Sequence, residues 1–167
     1  MARRFADLPA NSRVLIDANI FIYAASGRSQ ECDGLLERCS RQDVQGITTF
    51  EVLAESCHRL MLDETATARL LTRPSASELR SRPDVVSRVS AYWTHVSRFL
   101  ALNILRLPLD EGRFRDAQPL RQAHGLLTND SLLLAAATRY AISHLATNDA
   151  DFERVPWLTV YKPGDIQ

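Results

Sequence analysis

Val14-Leu15-Ile16-Asp17 is the stretch on which the reading of this chain turns, because three apolar residues run directly into an aspartate. A short uninterrupted apolar run fits a strand covered on both faces, as in parallel sheets flanked by helices. It also places Asp17 at the strand's carboxyl end, where open α/β sheets bind their ligands. The pattern recurs twice, in Leu126-Leu127-Thr128-Asn129-Asp130 and in His144-Leu145-Ala146-Thr147-Asn148-Asp149, both ending in Thr-Asn-Asp. Separate acids placed where buried elements end can converge on one rim and hold a hard cation through oxygen.

Working outward, Leu35 and Leu36 mark the inward face of a helix over 32–40, and 46–49 reads as a second brief strand. Leu53, Cys57, Leu60 and Met61 recur at helical spacing and put Glu51 in the first turn of that helix. A strand over 103–107 is ended by Pro108, and Asp110 caps a helix over 111–123. Asp130 starts a helix whose run Leu132-Leu133-Leu134-Ala135-Ala136-Ala137 demands burial, and strands follow at 142–146 and 158–161. Strands alternating with helices imply right-handed crossovers, hence an α/β fold: a three-layer α/β/α sandwich with a mostly parallel central sheet. The stretch 63–100 differs in kind. Arg73-Pro74 and Arg82-Pro83 interrupt it, and Asp84 opens a long helix through Val85, Val89, Trp93, Val96 and Leu100, so it reads as a helical insertion.

At 167 residues and 46% hydrophobic, the chain suits a single domain, 1–167, with a real core. Lys+Arg 20 balance Asp+Glu 20, so no global basic field advertises nucleic-acid binding and any such partner is met by a local patch. Lys162 is the sole lysine; the remaining cations are arginines, whose fork can bind two phosphate oxygens at once. Cys32, Cys39 and Cys57 form no CxxC, and His58, His95, His124 and His144 stand in no zinc-like spacing to them. Reduced thiols, the lack of a leader-like amino terminus and the lack of a spanning apolar run point to a cytoplasmic protein with no membrane contact. Gly27, Gly34 and Gly46 are isolated, so there is no glycine-rich phosphate loop.

Taken singly, each acid has a structural explanation. Asp130 and Asp110 suit helix caps, Glu51 suits a helix's first turn, and Asp149 and Asp151 suit a turn before Phe152. Asp17 resists this, since it follows a buried strand and precedes the apolar Ile20, Phe21 and Ile22, a poor setting for an idle charge. Crowded together, such carboxylates would repel and take up protons, and a divalent cation relieves them. Acids without a histidine base or serine nucleophile suit metal-assisted phosphodiester hydrolysis.

Four segments taken in order carry a resemblance: Val14-Leu15-Ile16-Asp17-Ala18-Asn19-Ile20-Phe21, Thr48-Thr49-Phe50-Glu51-Val52-Leu53-Ala54-Glu55, Asp130-Ser131-Leu132-Leu133-Leu134-Ala135-Ala136, and Ala146-Thr147-Asn148-Asp149-Ala150-Asp151-Phe152. Together they resemble the ordered motifs of PIN-domain nucleases, over most of the chain. The resemblance implies a PIN-like parallel sandwich and a ribonuclease that uses Mg²⁺ or Mn²⁺ to cleave RNA by metal-activated water. It implies Asp17, Glu51, Asp130 and Asp149 as metal-site and catalytic acids, with Asn19, Thr147 and Asp151 supporting them. Many small bacterial proteins similar to this one are toxins of toxin-antitoxin pairs, which implies a homodimer and an antitoxin partner that covers the acidic groove. An RNA-processing PIN nuclease outside a toxin system, or a non-catalytic PIN binding or scaffold module, would show the same motifs.

No residue is assigned to RNA contact. Arg73, Arg80, Arg82 and Arg88 in the insertion, and Arg113, Arg115 and Arg121 along one helix, are candidates, as are Tyr92, Trp93 and Phe99 for stacking. Solvated helix faces and core packing are the commoner meanings of such residues. A haloacid-dehalogenase-like phosphohydrolase would need a second acid at Asn19 and a lysine before the last acidic motif. Tyr161-Lys162-Pro163 is similar to the late Lys-Pro of a response-regulator receiver, but the acids fall in the wrong order for it.

Overall fold

The computed structural model describes residues 2–166. Six strands form one sheet in the order β1-β6-β5-β2-β3-β4, and every neighbouring pair is parallel. They are β1 (Arg3–Arg4), β2 (Arg13–Ile16), β3 (Gln45–Thr49), β4 (Leu105–Leu107), β5 (His144–Ala146) and β6 (Thr159–Lys162). β2 is central because its residues Val14, Leu15 and Ile16 can tolerate burial on both faces, and all three are at most 1% exposed. Each such side chain contributes roughly 1.5–3 kcal/mol on leaving water. Register is fixed on both sides, Leu15 lying opposite Ile47 of β3 and Leu145 of β5. The two-residue β1, which pairs with β6, has no apolar pattern and adds a strand that the sequence pattern does not announce.

From β2 the chain runs through α1 (Ala18–Ala25) and α2 (Gln30–Ser40) to β3 on one side. From β3 it runs through α3 (Phe50–Thr67), α4 (Ala76–Arg80), α5 (Pro83–Val86) and α6 (Ala91–Ala101) to β4. α7 (Glu111–His124) and α8 (Thr128–Arg139) then carry it back across the sheet to β5, beside β2 on the opposite side from β3. With right-handed crossovers, opposite directions of travel put α1, α2, α3 and α6 on one face and α7 and α8 on the other. α1 packs on α2 and α3, and α6 packs on α3, while α7 packs on α8. The run Leu132 to Ala137 in α8 is buried throughout because the sheet covers one side of it and α7, through Ala117, the other.

Two expected elements change. The long helix opened by Asp84 is in fact two helices, α5 and α6, separated at Ser87–Ser90. The break is stabilised from outside the segment: the Glu64 carboxylate of α3 accepts the backbone N–H groups of Ser90, Ala91 and Tyr92, capping α6 at 2.8 to 3.1 Å. Asp84 instead pairs with Arg82 and Arg88. The insertion folds on its own small apolar cluster of Leu71, Leu79 and Val85 against the far end of α3. α8 begins two residues before Asp130, with Leu127 at its N-cap position, so Asp130 lies in the first turn instead of starting the helix. Among the described residues no helix is long and apolar enough to cross a membrane.

Candidate active site

The chain leaves β2 toward β3 and leaves β5 toward β6, so the two connections diverge above adjacent strands and open a crevice at their carboxyl ends. Asp17 follows β2 and Thr147-Asn148-Asp149 follows β5, so both acids meet at this crevice. The backbone N–H of Asp17 donates to Ala146 O at 3.1 Å, stitching the two strand ends together. Asp17 is the N-cap of α1. Its Oδ1 accepts the Ala18 N–H at 2.6 Å, and its Oδ2 accepts Asn19 Nδ2 and the Thr147 hydroxyl, each at 2.6 Å.

Thr147 is wholly buried and works as a hub. Having given its one proton to Asp17, its Oγ1 accepts from Asn19 Nδ2 and from the Asp149 backbone N–H, both at 3.0 Å. Asn19 completes the bridge by accepting the Asn148 N–H at 3.0 Å. Asn19 and Thr147 thereby tie the Asp17 and Asp149 loops together. Asp149 caps the 3-10 turn Ala150–Arg154, its Oδ1 accepting the Asp151 N–H at 2.8 Å. Asp151 contributes that backbone group, while its carboxylate turns to Arg154 at 2.7 Å.

An open cavity of about 280 Å³ is lined by Asp17, Asp130 and Asp149, together with Asn19, Glu55 and Arg59. Glu51 is absent from it. The Glu51 carboxylate pairs instead with the Arg113 guanidinium of α7, which is fully buried. Glu55, one turn further along α3, lines the cavity, and Asn129 Nδ2 donates to it at 3.0 Å. The sequence holds the signal for Glu55, since positions i and i+4 share a helix face, but not the buried arginine that separates the two acids. The arginines of α7 are likewise no surface stripe: Arg113 is interior, Arg115 pairs with Glu111 within its own helix, and Arg121 donates to Ser131 at 3.2 Å. In the insertion, Phe99 is a core residue, stacked against Phe21 with ring centroids 4.9 Å apart, whereas Trp93 is exposed.

The electrostatics follow from this crowding. Burial holds the Asp17 carboxyl up at about 6, against the hydrogen bonds from Thr147 and Ala18, and the nearby Glu55 and Asp130 reinforce the rise. Burial also raises Asp130, followed by the fields of Asp149, Glu55 and Asp151. The acids thus destabilise one another's charge across a common space. All the side chains that could ligate there offer oxygen or amide groups, with no cysteine or histidine on the wall, a donor set that fits a hard divalent cation. Among the described residues no group of three or more His, Cys, Asp or Glu is gathered tightly enough to hold a metal ion by itself.

A family model of the PIN domain matches residues 14–158. Over 46 residues the chain is 39% identical to Ribonuclease VapC6 of Methanocaldococcus jannaschii, covering 28% of this chain and only 30% of that protein's length. The fold is similar to that of a chain in the crystal structure of VapBC2 from Rickettsia felis bound to a DNA fragment from its promoter. That likeness has a TM-score of 0.56 at 17% identity and covers 90% of this chain and 98% of the other. It is also similar to a chain of a toxin-antitoxin complex from Klebsiella pneumoniae, with a TM-score of 0.51 at 19% identity over 87% and 95% of the two chains. At such identities the likeness is one of fold, and the expected PIN-like α/β sandwich is the architecture observed. With the family model running from the second strand almost to the last, the chain belongs to the PIN domain family.

Proposed function

We propose that this protein is a divalent-metal-dependent ribonuclease and the toxin of a toxin-antitoxin pair. The observation that carries the reading is the convergence of Asp17, Glu55, Asp130 and Asp149 on one open cavity, where Asp17 and Asp130 are raised by burial and by the neighbouring carboxylates. Asp17 and Asp130 would hold the ion most directly, with Glu55 and Asp149 completing the acidic wall; in this reading Glu55 replaces Glu51 in the metal set. Mg²⁺ or Mn²⁺, when bound, would supply a nucleophile from water at neutral pH and charge stabilisation for the departing oxygen. The chain's own contribution is positional. Thr147 and Asn19 fix the rotamer of Asp17 by occupying Oδ2, and Oδ1, which accepts only the Ala18 N–H, retains acceptor capacity for an ion. Asp130 is carried by the first turn of α8, whose following residues Ser131 to Ala137 are buried.

The relatives bear on the partner. The Klebsiella pneumoniae structure is a toxin-antitoxin complex by its description, which supports an antitoxin that covers this crevice. β4 is an edge strand, and Leu105 in it, Phe50 at the start of α3 and Phe114 in α7 are each more than half exposed. They support a homodimer through that edge.

The test is cleavage of a total-RNA pool by the purified protein with Mg²⁺, with EDTA, and by Asp130→Asn. Metal-dependent products absent from the variant are expected. Metal-induced thermal stabilisation without any cleavage would overturn the nuclease reading in favour of a binding or scaffold module.

A further inference from the structure

The four acids of the cavity are held in two different ways. Asp17 and Asp149 share the Thr147 hub, which rests on the ends of β2 and β5. Glu55 and Asp130 lie instead on two helices, α3 and α8, and the first turn of α8 is tied to Glu55 through the Asn129 amide. Both helices are braced by α7, which carries Arg113, Ala117 and Arg121 four residues apart along one side. Arg113 anchors one end of that row to α3 through Glu51, and Ala117 packs on Leu132 and Ala135 of α8. At the other end Arg121 spans the corner between α7 and α8. Its carbonyl accepts the N–H of Gly125, which turns the corner at φ 63°, and that of Leu126 at 3.3 Å, while its Nε donates to Ser131 Oγ at 3.2 Å. Ser131 is fully buried and donates its own hydroxyl proton to Thr128 O at 2.7 Å.

We infer that Arg121 is a positioning residue: through Ser131 it fixes the turn that presents Asp130 to the cation. The inference rests on the ribonuclease reading and deepens it. Leu127 stands at the N-cap position of α8 and has no side-chain oxygen for the free N–H groups of the first turn, whereas α1, α2 and α3 take such a cap from Asp17, Ser29 and Thr49. A first turn without that cap frays, and fraying across 128–131 swings the Asp130 carboxylate away from Asp17 and Glu55. Arg121 supplies from another helix what the sequence of α8 omits. It holds Ser131 Oγ, and Ser131 holds Thr128 O, so the turn is closed on both sides of Asp130. The placement is costly, since Arg121 Nη2 is buried and, among the described residues, without a hydrogen-bond partner. An arginine serving only solubility would extend into water. Beyond Asp130 the run from Ser131 to Ala137 is buried, so loss of the tie loosens the acid-bearing turn without unfolding the helix.

The experiment titrates Mn²⁺ into the purified protein well below its melting temperature, reading the ion by electron paramagnetic resonance, with thermal melts and RNA cleavage kinetics on the same samples. Arg121→Met keeps the apolar stem and removes the donor. It should weaken Mn²⁺ binding by about 10–100-fold and lower kcat with KM for RNA unchanged. Arg121→Lys, which retains a donor, should recover part of the affinity. Ser131→Ala should reproduce the loss, and the double variant should bind no more weakly than either single one, because both act through one bond. If Arg121→Met does not fold, Ser131→Ala, which only trims a buried hydroxyl, carries the test. Wild-type Mn²⁺ affinity in the folded variants overturns the inference: with a lowered melting temperature the arginine is structural only, and with a raised KM and a shallower salt dependence it is an RNA contact. Additive losses in the double variant overturn it as well. Unaltered protein that takes up no Mn²⁺ overturns the ribonuclease reading itself, an outcome read before any variant is made.

Discussion

Glu51 and Glu55 stand one turn apart on α3, yet the two regions they enter treat a carboxylate in opposite ways. Beneath α7, Glu51 meets the buried guanidinium of Arg113 and its charge is answered from within the protein. In the crevice above β2 and β5, Glu55 joins Asp17, Asp130 and Asp149, and burial together with the neighbouring charges raises Asp17 and Asp130. A buried acid with its own countercharge is part of the scaffold. Acids grouped without one are suited to a cation from outside.

The sharpest way to break this contrast is by activity. Asp17→Asn, Asp130→Asn and Glu55→Gln should each lower metal-dependent RNA cleavage by on the order of a thousandfold, because several kcal/mol of charge stabilisation depend on the ion they hold. Cleavage by Glu55→Gln at the wild-type rate would return the role to Glu51. Next in size is stability. Glu51→Ala leaves Arg113 buried and unpaired, and urea unfolding should show a loss of about 3–5 kcal/mol, against a change of about 0.5 kcal/mol or less for the partly exposed Glu55→Gln. Equal stabilities for the two variants would remove the distinction between the regions. Thr147→Val keeps the shape but deprives Asp17 of its hydroxyl donor, and cleavage should fall by about 10–100-fold with weaker Mg²⁺ dependence.

The smallest effect is on pH dependence. Asp17 titrates at about 6 in the fold against an ordinary 3.8, so between these values the folded state holds a proton that the unfolded chain has released. In EDTA the contribution is complete below about pH 4 and fades as the pH rises through 6. The melting temperature should therefore be a few degrees lower at pH 7 than at pH 5, Asp17→Asn should flatten that difference, and Mg²⁺ at pH 7 should restore the loss. A wild-type melting temperature in EDTA that rises between pH 5 and 7 while the Asp17→Asn curve stays flat would contradict the burial assigned to Asp17.

Much of this was legible in the chain. An apolar run ending in Asp17, and Thr-Asn-Asp after the fifth strand, are local signals, and the parallel sheet converts them into neighbours because each strand delivers its last residue to the same edge. What could not be read depends on contacts distant in sequence. Helical periodicity puts Glu51 and Glu55 on one face and cannot tell which of them α7 will cover. The apolar spacing across 84–100 favours one helix, and only the Glu64 carboxylate from another helix makes a separate start at Ser90 favourable. β1 has two arginines and no pattern at all; it exists because β6 offers it an edge. Arg113 looked like a surface cation because nothing in its neighbours announces burial, and its partner lies 62 positions away.

The hydroxyl of Thr147 and the carboxylate of Asp17 are 130 positions apart in sequence. During synthesis, a nascent chain displays Asp17 early and carries Asp130 on a helix that is still without its sheet partner. The crevice closes only when β5 has emerged and slid in beside β2. A chain cut short before the fifth strand lacks Thr147 and Asp149, and its Asp17 is without the hydroxyl donor.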